Sequence, residues 1–449
     1  MQEALKRIDD LHRVGRFQDA AIICRKLIID NPHDWRPISL LGTIYAEQGW
    51  DNAAAMVMLT KAVEMSESKA PEPLTALGTI LRRTEHYEAA RYCYDTALVI
   101  APDEPFILRG LAGWHVNQGI PKQGIPIARQ AVATNHGDSY YHANNALSLL
   151  LLEDGQWEEG FRLYRERWKL PGYHVRDYGN APRWNGKPVK KLALHAEQGL
   201  GDEIMFGTVI AEIKPLIGEL RVEVNERLVT LLERSWGVKC CPTHEAMGEG
   251  AFMPDKWDRL ADVFGSRRKK PSDCPGTPYL KADPIRVASY RERLKATGEG
   301  PYIGLAWLGG APETHARVRR APKPLWLDLR QSLPGTAISL QYSEEGAADA
   351  KAWGLPHWPA ALTDMEEFAA LVMALDLTIS SPQTAVHFAG ALGKECWVAS
   401  PAKGSWPFRA SGETMAVYNS VKLFWQDGED WKPAFDRIKS AATVLPMVA

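Results

Sequence analysis

Residues 192–207 read LALHAEQGLGDEIMFG. A short apolar run behind Lys190 and Lys191 breaks at Gly199, Gly201 and Asp202; Ile204, Met205, Val209 and Ile210 then follow at helical spacing. Strand, glycine turn and helix start together make the element on which α/β folds hang ligands, because the turn leaves helix N–H groups free to meet an anion or polar group. The turn has neither the GxGxxG of dinucleotide folds nor the GxxxxGK[ST] of phosphate loops, which counts against nicotinamide-type and ATP-loop chemistry. Asp202, beside two flexible residues at the mouth of such a turn, has two readings: a general base, or an ordinary helix cap. Gln198, Gly199, Gly201 and Glu203 complete the turn around it.

Downstream the same alternation continues. LRVEVN (220–225), PYIGLAWLGG (301–310), AISLQY (337–342), LDLTISS (375–381) and ECWVAS (395–400) read as strands, with helices near 203–216, 226–236, 284–296, 324–333, 365–374, 384–393 and 430–441. Alternation in two blocks predicts two doubly wound parallel sheets with a cleft between them. Ligands belong outside the strand carboxyl ends, where residues 199–202, 307–310, Gln341 and 380–384 fall. The segment 265–284 reads as loop-rich and is basic at Arg267–Lys270.

Upstream the chain repeats itself. LHRVGRFQDAAIICRKLIIDNP (11–32) is echoed at 45–63, 81–102, 115–132 and 151–168, with turn positions Gly15, Gly49, Glu85, Gly119 and Gly155 spaced by 34, 36, 34 and 36. An aromatic two residues on (Phe17, Tyr87, Trp157) and a small residue five on (Ala20, Ala54, Ala90, Gly124, Gly160) recur, and each partner helix carries Leu-Gly or Leu-Ala. Small residues let helices cross closely while an aromatic fills the gap between neighbours. Such an array stacks into a solenoid whose groove takes an extended peptide, so a protein partner is expected here. Between the two regions, residues 171–190 are dense in turn formers and read as a linker that Trp184 anchors.

Composition bounds the rest. With 449 residues, 45% apolar and 24% charged, the chain is expected to form two or three soluble domains. A net charge of −2 gives no global field for nucleic acid or membrane, although Arg267–Lys270 keeps a nucleic-acid target in view. Apolar runs are too short for a membrane span, and the N-terminus has no secretory core. Six scattered cysteines without CxxC spacing fit reduced thiols in the cytoplasm. No HxH, HExxH, DxD or Cys/His set suggests a metal, and no cofactor is expected.

Two features of the second block suit a phosphate-bearing substrate. HARVRRAPK (315–323) concentrates Arg317, Arg319, Arg320 and Lys323 just after a strand and its glycine turn (Trp307, Gly309), where cations neutralise a diphosphate or merely solvate a loop. SSPQTAVHFAGALG sets Ser381, Gln383 and Thr384 at a helix start, able to bind phosphate oxygens or simply to cap, with His387 one turn in as ligand or core histidine. Rival carboxylates to Asp202 are Glu197 and Glu203; His195 and His315 are secondary candidates.

These residues resemble known families. The 34-residue period with its Leu-Gly and aromatic signature resembles the tetratricopeptide (TPR) repeat. HAEQGLGDEIMFG, GLAWLGG, SLQ at 339–341 and LDLTISSPQTAVHFAGALGKECWV resemble the family 9-like glycosyltransferases related to bacterial heptosyltransferases. The resemblance implies a TPR solenoid at 1–170, a linker at 171–190, and a GT-B fold of two Rossmann-like domains. These would be an acceptor domain at 191–298 and a donor domain at 299–449 that ends in a C-terminal helix. It further implies metal-independent transfer of a sugar from a nucleotide-sugar to an acceptor hydroxyl, with Asp202 as base. The donor would lie against Trp307, Gly309, Arg317, Arg319, Arg320, Lys323, Gln341, Ser381, Gln383, Thr384 and His387. The acceptor would lie against Gln198, Gly199, Gly201 and Glu203. The family's second motif, Asp-Thr-Gly-x-x-His, is replaced here by Pro382, Gln383, Thr384 and His387, which leaves the donor open. The expected acceptor is a protein recruited by the repeats, such as an adhesin or flagellin. The alternatives are a glycan, a lipid-linked sugar, a modified nucleic-acid base, or a non-catalytic scaffold with a degenerate transferase domain.

Overall fold

The computed structural model describes residues 1–170, 178–197, 199–243, 252–309, 319–403, 406–408 and 412–445. The chain divides into two compact units, Met1–Leu150 and Leu151–Ala449.

The first unit is a run of helical hairpins: Gln2–Arg13 with Phe17–Asp30, Trp35–Gln48 with Asn52–Met65, Pro71–Arg83 with Tyr87–Ile100, and Pro105–Gln118 with Pro121–Thr134. Helix starts follow local chemistry. Asp34 and Asp51 accept from the backbone N–H groups of Arg36 and Ala54, both at 2.9 Å, and Pro71, Pro105 and Pro121 open helices where no N–H is missed. All five turn positions read from the sequence have left-handed backbone: Gly15 (φ 76°), Gly49 (63°), Glu85 (64°), Gly119 (59°) and Gly155 (82°). Glycine adopts that conformation without steric penalty, and Glu85 does not. The expected filling of gaps by aromatics is visible at Tyr94, fully buried, whose ring lies where a Cβ on Gly78 or Gly110 would come within 3.0 or 2.6 Å. This is a helical, TPR-like solenoid, and it rests on its own helix pairs.

The second unit is mixed α/β. Its front sheet contains β1 (Val189–His195), β2 (Ile217–Val224), β3 (Lys239–Pro242) and β4 (Lys256–Arg259), in the order β3-β2-β1-β4, all parallel. The rear sheet contains β5 (Tyr302–Ala306), β6 (Thr336–Ser339), β7 (Leu377–Ser380), β8 (Cys396–Ser400), β9 (Thr414–Met415) and β10 (Tyr418–Trp425), in the order β6-β5-β7-β8-β10-β9. Only the β9–β10 pair is antiparallel. Leu192, Ala193 and Leu194 of β1, and every residue of β7 and β8, are buried, as parallel strands covered on both faces must be. In each sheet the strand order reverses once, at β1/β4 in front and at β5/β7 behind. Doubly wound sheets bind ligands outside the strand carboxyl ends at such a reversal.

Several elements depart from the sequence reading. The helix expected at 203–216 is Leu200–Phe206, then short 3-10 turns around Ile210–Ile213. Strands β3 and β4, the β9–β10 pair, and helices Leu260–Arg267, Glu344–Ala352 and Pro359–Thr363 were not expected. Helix Trp157–Tyr164, read as part of the last repeat, packs inside the second unit: Phe161 meets Phe264 at 5.5 Å and Trp157 meets Trp406 at 5.4 Å between ring centroids. Of the expected linker, residues 171–177 lie outside the described residues. Residues 178–190 run beside β4, with the Trp184 N–H donating to the Trp257 carbonyl (2.8 Å) and Tyr178 stacked on Trp257. The basic segment is engaged within the unit, since Arg268 pairs with Glu212 and Lys269 with Glu158. No helix among the described residues is long and apolar enough to cross a membrane.

Candidate functional site

Two helix starts meet in the second unit. Leu200–Phe206 follows β1, Thr384–Leu392 follows β7, and Gly201 presses on the buried ring of His387, where a Cβ would sit 2.8 Å from Cδ2. Tyr279 fastens the two bodies behind the contact: its hydroxyl donates to the Ile204 carbonyl at 2.6 Å and its backbone N–H to the Ala391 carbonyl at 2.8 Å. Of the four turns expected to converge on one cleft (199–202, 307–310, Gln341 and 380–384), the first meets the helix that the fourth opens, through the Gly201–His387 contact. His387 itself is buried, its Nδ1 is 3.4 Å from the Tyr418 hydroxyl, and burial holds its imidazole down at about 4, so it is neutral at pH 7.

Asp202 sits at this junction. Its side chain is open to water, yet enough protein surrounds it to weaken its hydration. Desolvation, and after it the charge of Glu197, raise the carboxyl to about 6; Arg167 and Arg319 pull in the other direction. The rival carboxylates are committed elsewhere. Glu197 accepts both its bonds from Arg167 at 2.8 Å and a third from the Ala261 N–H. Glu203 is buried, accepts from the Asn225 N–H at 2.9 Å, and is pushed up to about 8 by burial, so it is mostly neutral at pH 7. His195 Nδ1 lies 2.8 Å from Glu223. Gln198, Arg317 and His315 lie outside the described residues.

The donor-side candidates separate into two groups. Some hold the rear loops together. Ser381 donates to the Ala306 carbonyl through N and Oγ, Gln383 Nε2 donates to the same carbonyl at 2.9 Å, and Gly309 lies against Ser381 and the Pro382 carbonyl. Gln341, fully buried, exchanges two 2.9 Å bonds with the Leu308 backbone. Trp307, also buried, donates to Asp349 at 3.0 Å. Lys323 bridges Glu345 and Asp349, and Arg320 reaches Glu345 at 3.7 Å. The others face the junction. Arg319 is half-buried and its charge is felt by Asp202, while Thr384 opens the rear helix, which receives no side-chain cap from Gln383.

A cavity of about 190 Å³ adjoins that helix start and was not read from the sequence. Leu340, Leu362, Met365 and Phe368 give it apolar walls, exposed Tyr342 stands at its edge, and Leu200 and Arg227 close it from the front half. Gln383 and Thr384, both named from the sequence, line it as well, and Tyr342, directly after the SLQ stretch, could have marked the rest. The arrangement offers a carboxyl raised to about 6, a guanidinium and helix N–H groups for an anion, and a largely apolar recess by the helix start.

No family model matches the chain. Protein FlbA of Caulobacter vibrioides is 27% identical over 397 residues, covering 81% of this chain and 66% of FlbA, so the chain spans just under two thirds of that relative. The N-terminal helical repeats resemble TPR proteins. TTC0263, a thermophilic TPR protein of Thermus thermophilus, is 17% identical with a TM-score of 0.33, over 38% of this chain and 91% of that one. YrrB, a TPR protein with an unusual peptide-binding site, is 20% identical with a TM-score of 0.28, over 33% and 74%.

Proposed function

We propose that the second unit is a GT-B-type glycosyltransferase that moves a sugar from a nucleotide-sugar to an acceptor hydroxyl. The observation that carries this reading is Asp202, a carboxyl raised to about 6, next to Gly201, which packs on His387 one turn into helix Thr384–Leu392; the charge of Arg319 acts on the same carboxyl, and Gln383 gives that helix no side-chain cap. The nucleobase takes the recess beside Tyr342, and the diphosphate meets the helix N–H groups, Thr384 and Arg319. Asp202 accepts the proton of the acceptor hydroxyl as that oxygen bonds to the anomeric carbon. The bond to the diphosphate breaks, and its electrons leave with the nucleoside diphosphate. Positive charge fixed opposite the leaving group lowers the barrier further, because it needs no rearrangement as charge develops. The repeats recruit the acceptor, which we take to be a protein, since a TPR-like solenoid offers an extended groove to a peptide.

The test is a panel of UDP-, GDP-, ADP- and CMP-sugars with the full chain, following nucleotide release and thermal protection. One donor should protect and be turned over, and Asp202→Asn should keep the protection and lose the turnover. If no nucleotide-sugar protects the chain, the transferase reading fails and the unit is a scaffold.

A further inference from the structure

The front sheet carries a buried cation, two of whose nitrogens have no acceptor among the described residues. Arg259 ends β4, in register with His195 at the end of β1, so it stands at the reversal of strand order where a ligand is expected. It is 1% exposed, and its Nε and Nη1 are buried without a hydrogen-bond partner among the described residues. Its guanidinium lies over the Trp168 ring, which presents a flat face and accepts no hydrogen bond in the ring plane. The neighbouring guanidiniums are matched: Arg167 to Glu197 and Asp262, Arg183 to Asp258 and Asp262, and Arg165 to Asp262 at 3.9 Å. Four arginines thus face three carboxylates, and Arg259 is the one of the four that forms no ion pair among the described residues. Burial, helped by the like charges of Arg167 and Arg183 and opposed by Asp262 and Glu197, pulls its guanidinium down to about 9.

A folded chain rarely keeps a charge buried and undonated, since the lost hydration is recovered only through a partner. We propose that Arg259 is the anion receptor of the acceptor side: it binds a carboxylate or phosphate group carried by the molecule whose hydroxyl is glycosylated. The proposal rests on the transferase reading for its word acceptor, and on the geometry of β4 for its anion. Glu197 ties this position to the reacting turn, because its charge acts on both Arg259 and Asp202. A guanidinium is planar and offers its N–H groups as a fork, the geometry that carboxylate and phosphate oxygens fit. The acceptor hydroxyl would therefore lie near an acidic group: a neighbouring carboxylate or phosphorylated side chain on a protein, or an acidic sugar.

The full chain and Arg259→Met are compared by thermal unfolding in sodium phosphate, sodium acetate and sodium chloride of matched ionic strength. The expected result is a free Arg259→Met protein at least as stable as wild type, because an unpaired buried charge has gone. Phosphate, acetate or both should then raise the wild-type midpoint by several degrees more than the variant's. Discrimination in phosphate alone assigns a phosphate-bearing acceptor; discrimination in acetate alone assigns a carboxylate. Two results overturn the proposal: an Arg259→Met protein that is several degrees less stable or fails to fold, which makes the guanidinium a fold residue, or equal rises in both proteins, which place the anion elsewhere. Arg259→Lys, which keeps the charge and loses the fork, should retain only part of the anion response, and a full response would also overturn it. Nucleotide-sugars should protect wild type and Arg259→Met alike. If they protect neither, the transferase reading falls while the anion result still stands.

Discussion

Asp202 joins stability and chemistry in one side chain. A base works only when deprotonated, so turnover should climb with pH through about 6 and then level off. Asp202→Asn should lower kcat by about 10²–10⁴-fold, the usual share of base catalysis, with donor affinity unchanged. The same raised carboxyl works against folding. Because the folded protein holds that proton more tightly than the unfolded chain, the group's contribution to stability is complete below about 4 and is lost as pH rises through about 6. Asn keeps the neutral form at all pH values. Asp202→Asn should therefore melt higher than wild type at pH 7 and match it below about pH 4, which paired melting curves at the two pH values would check. A variant less stable at pH 7 would mean that Asp202 serves mainly as a helix cap. The sequence could name Asp202 because a glycine turn before a helix start leaves few positions for a side chain to occupy. It kept Glu197 and Glu203 only as rivals and could not show what occupies them, since their partners, Arg167 and the Asn225 N–H, come from other segments of the chain.

At the scale of elements, the long alternations and the repeat turns were legible. A parallel strand buried on both faces leaves an apolar run, and a left-handed turn selects glycine. What escaped reading was short or polar: β3 is KCCP and β4 is KWDR, and their place in the sheet comes from pairing with β2 and β1 rather than from any pattern of their own. Likewise Gln341 and Ser381 were read as facing a ligand, whereas a polar residue at a strand end can equally turn inward to bond a loop, as both do. Two substitutions test the element rules. Glu85 holds a left-handed turn that glycine holds at the other four repeats. That conformation costs an L-residue about 1–2 kcal/mol, more than the roughly 0.5–1 kcal/mol that glycine adds in chain entropy, so Glu85→Gly should raise the unfolding midpoint slightly in calorimetry. Gly201→Ala pits helix propensity, about 1 kcal/mol in favour of Ala, against overpacking of about 1–3 kcal/mol. His387 is hemmed in by Phe408 and Tyr418 and cannot yield, so overpacking should win, lowering both the melting midpoint and kcat.

For the whole molecule, the question is where the repeats stop and the α/β unit begins. The compact division falls at Leu151, although the repeat pattern runs on to residue 168. The reason is chemical. Helix Trp157–Tyr164 turns its aromatics onto Phe264 and Trp406, and the following 3-10 turn delivers Arg167, 1% exposed, to Glu197 and Asp262. Removing one partner of a buried ion pair leaves the others without compensation, at about 3–5 kcal/mol. Against a total stability of roughly 5–15 kcal/mol, that loss together with the aromatic contacts is enough to unfold the unit. A chain of residues 151–449 should thus fold and melt cooperatively, whereas one of residues 171–449 should not, as circular dichroism and thermal unfolding would tell. Arg167→Met in the full chain is the milder control and should lower the melting midpoint sharply. With the folded 151–449 chain in hand, the division of labour becomes measurable: it should still release nucleotide from the donor but no longer modify a protein acceptor that the full chain modifies. Modification surviving without residues 1–150 would move acceptor choice from the solenoid to the crevice beside Asp202 and Arg259.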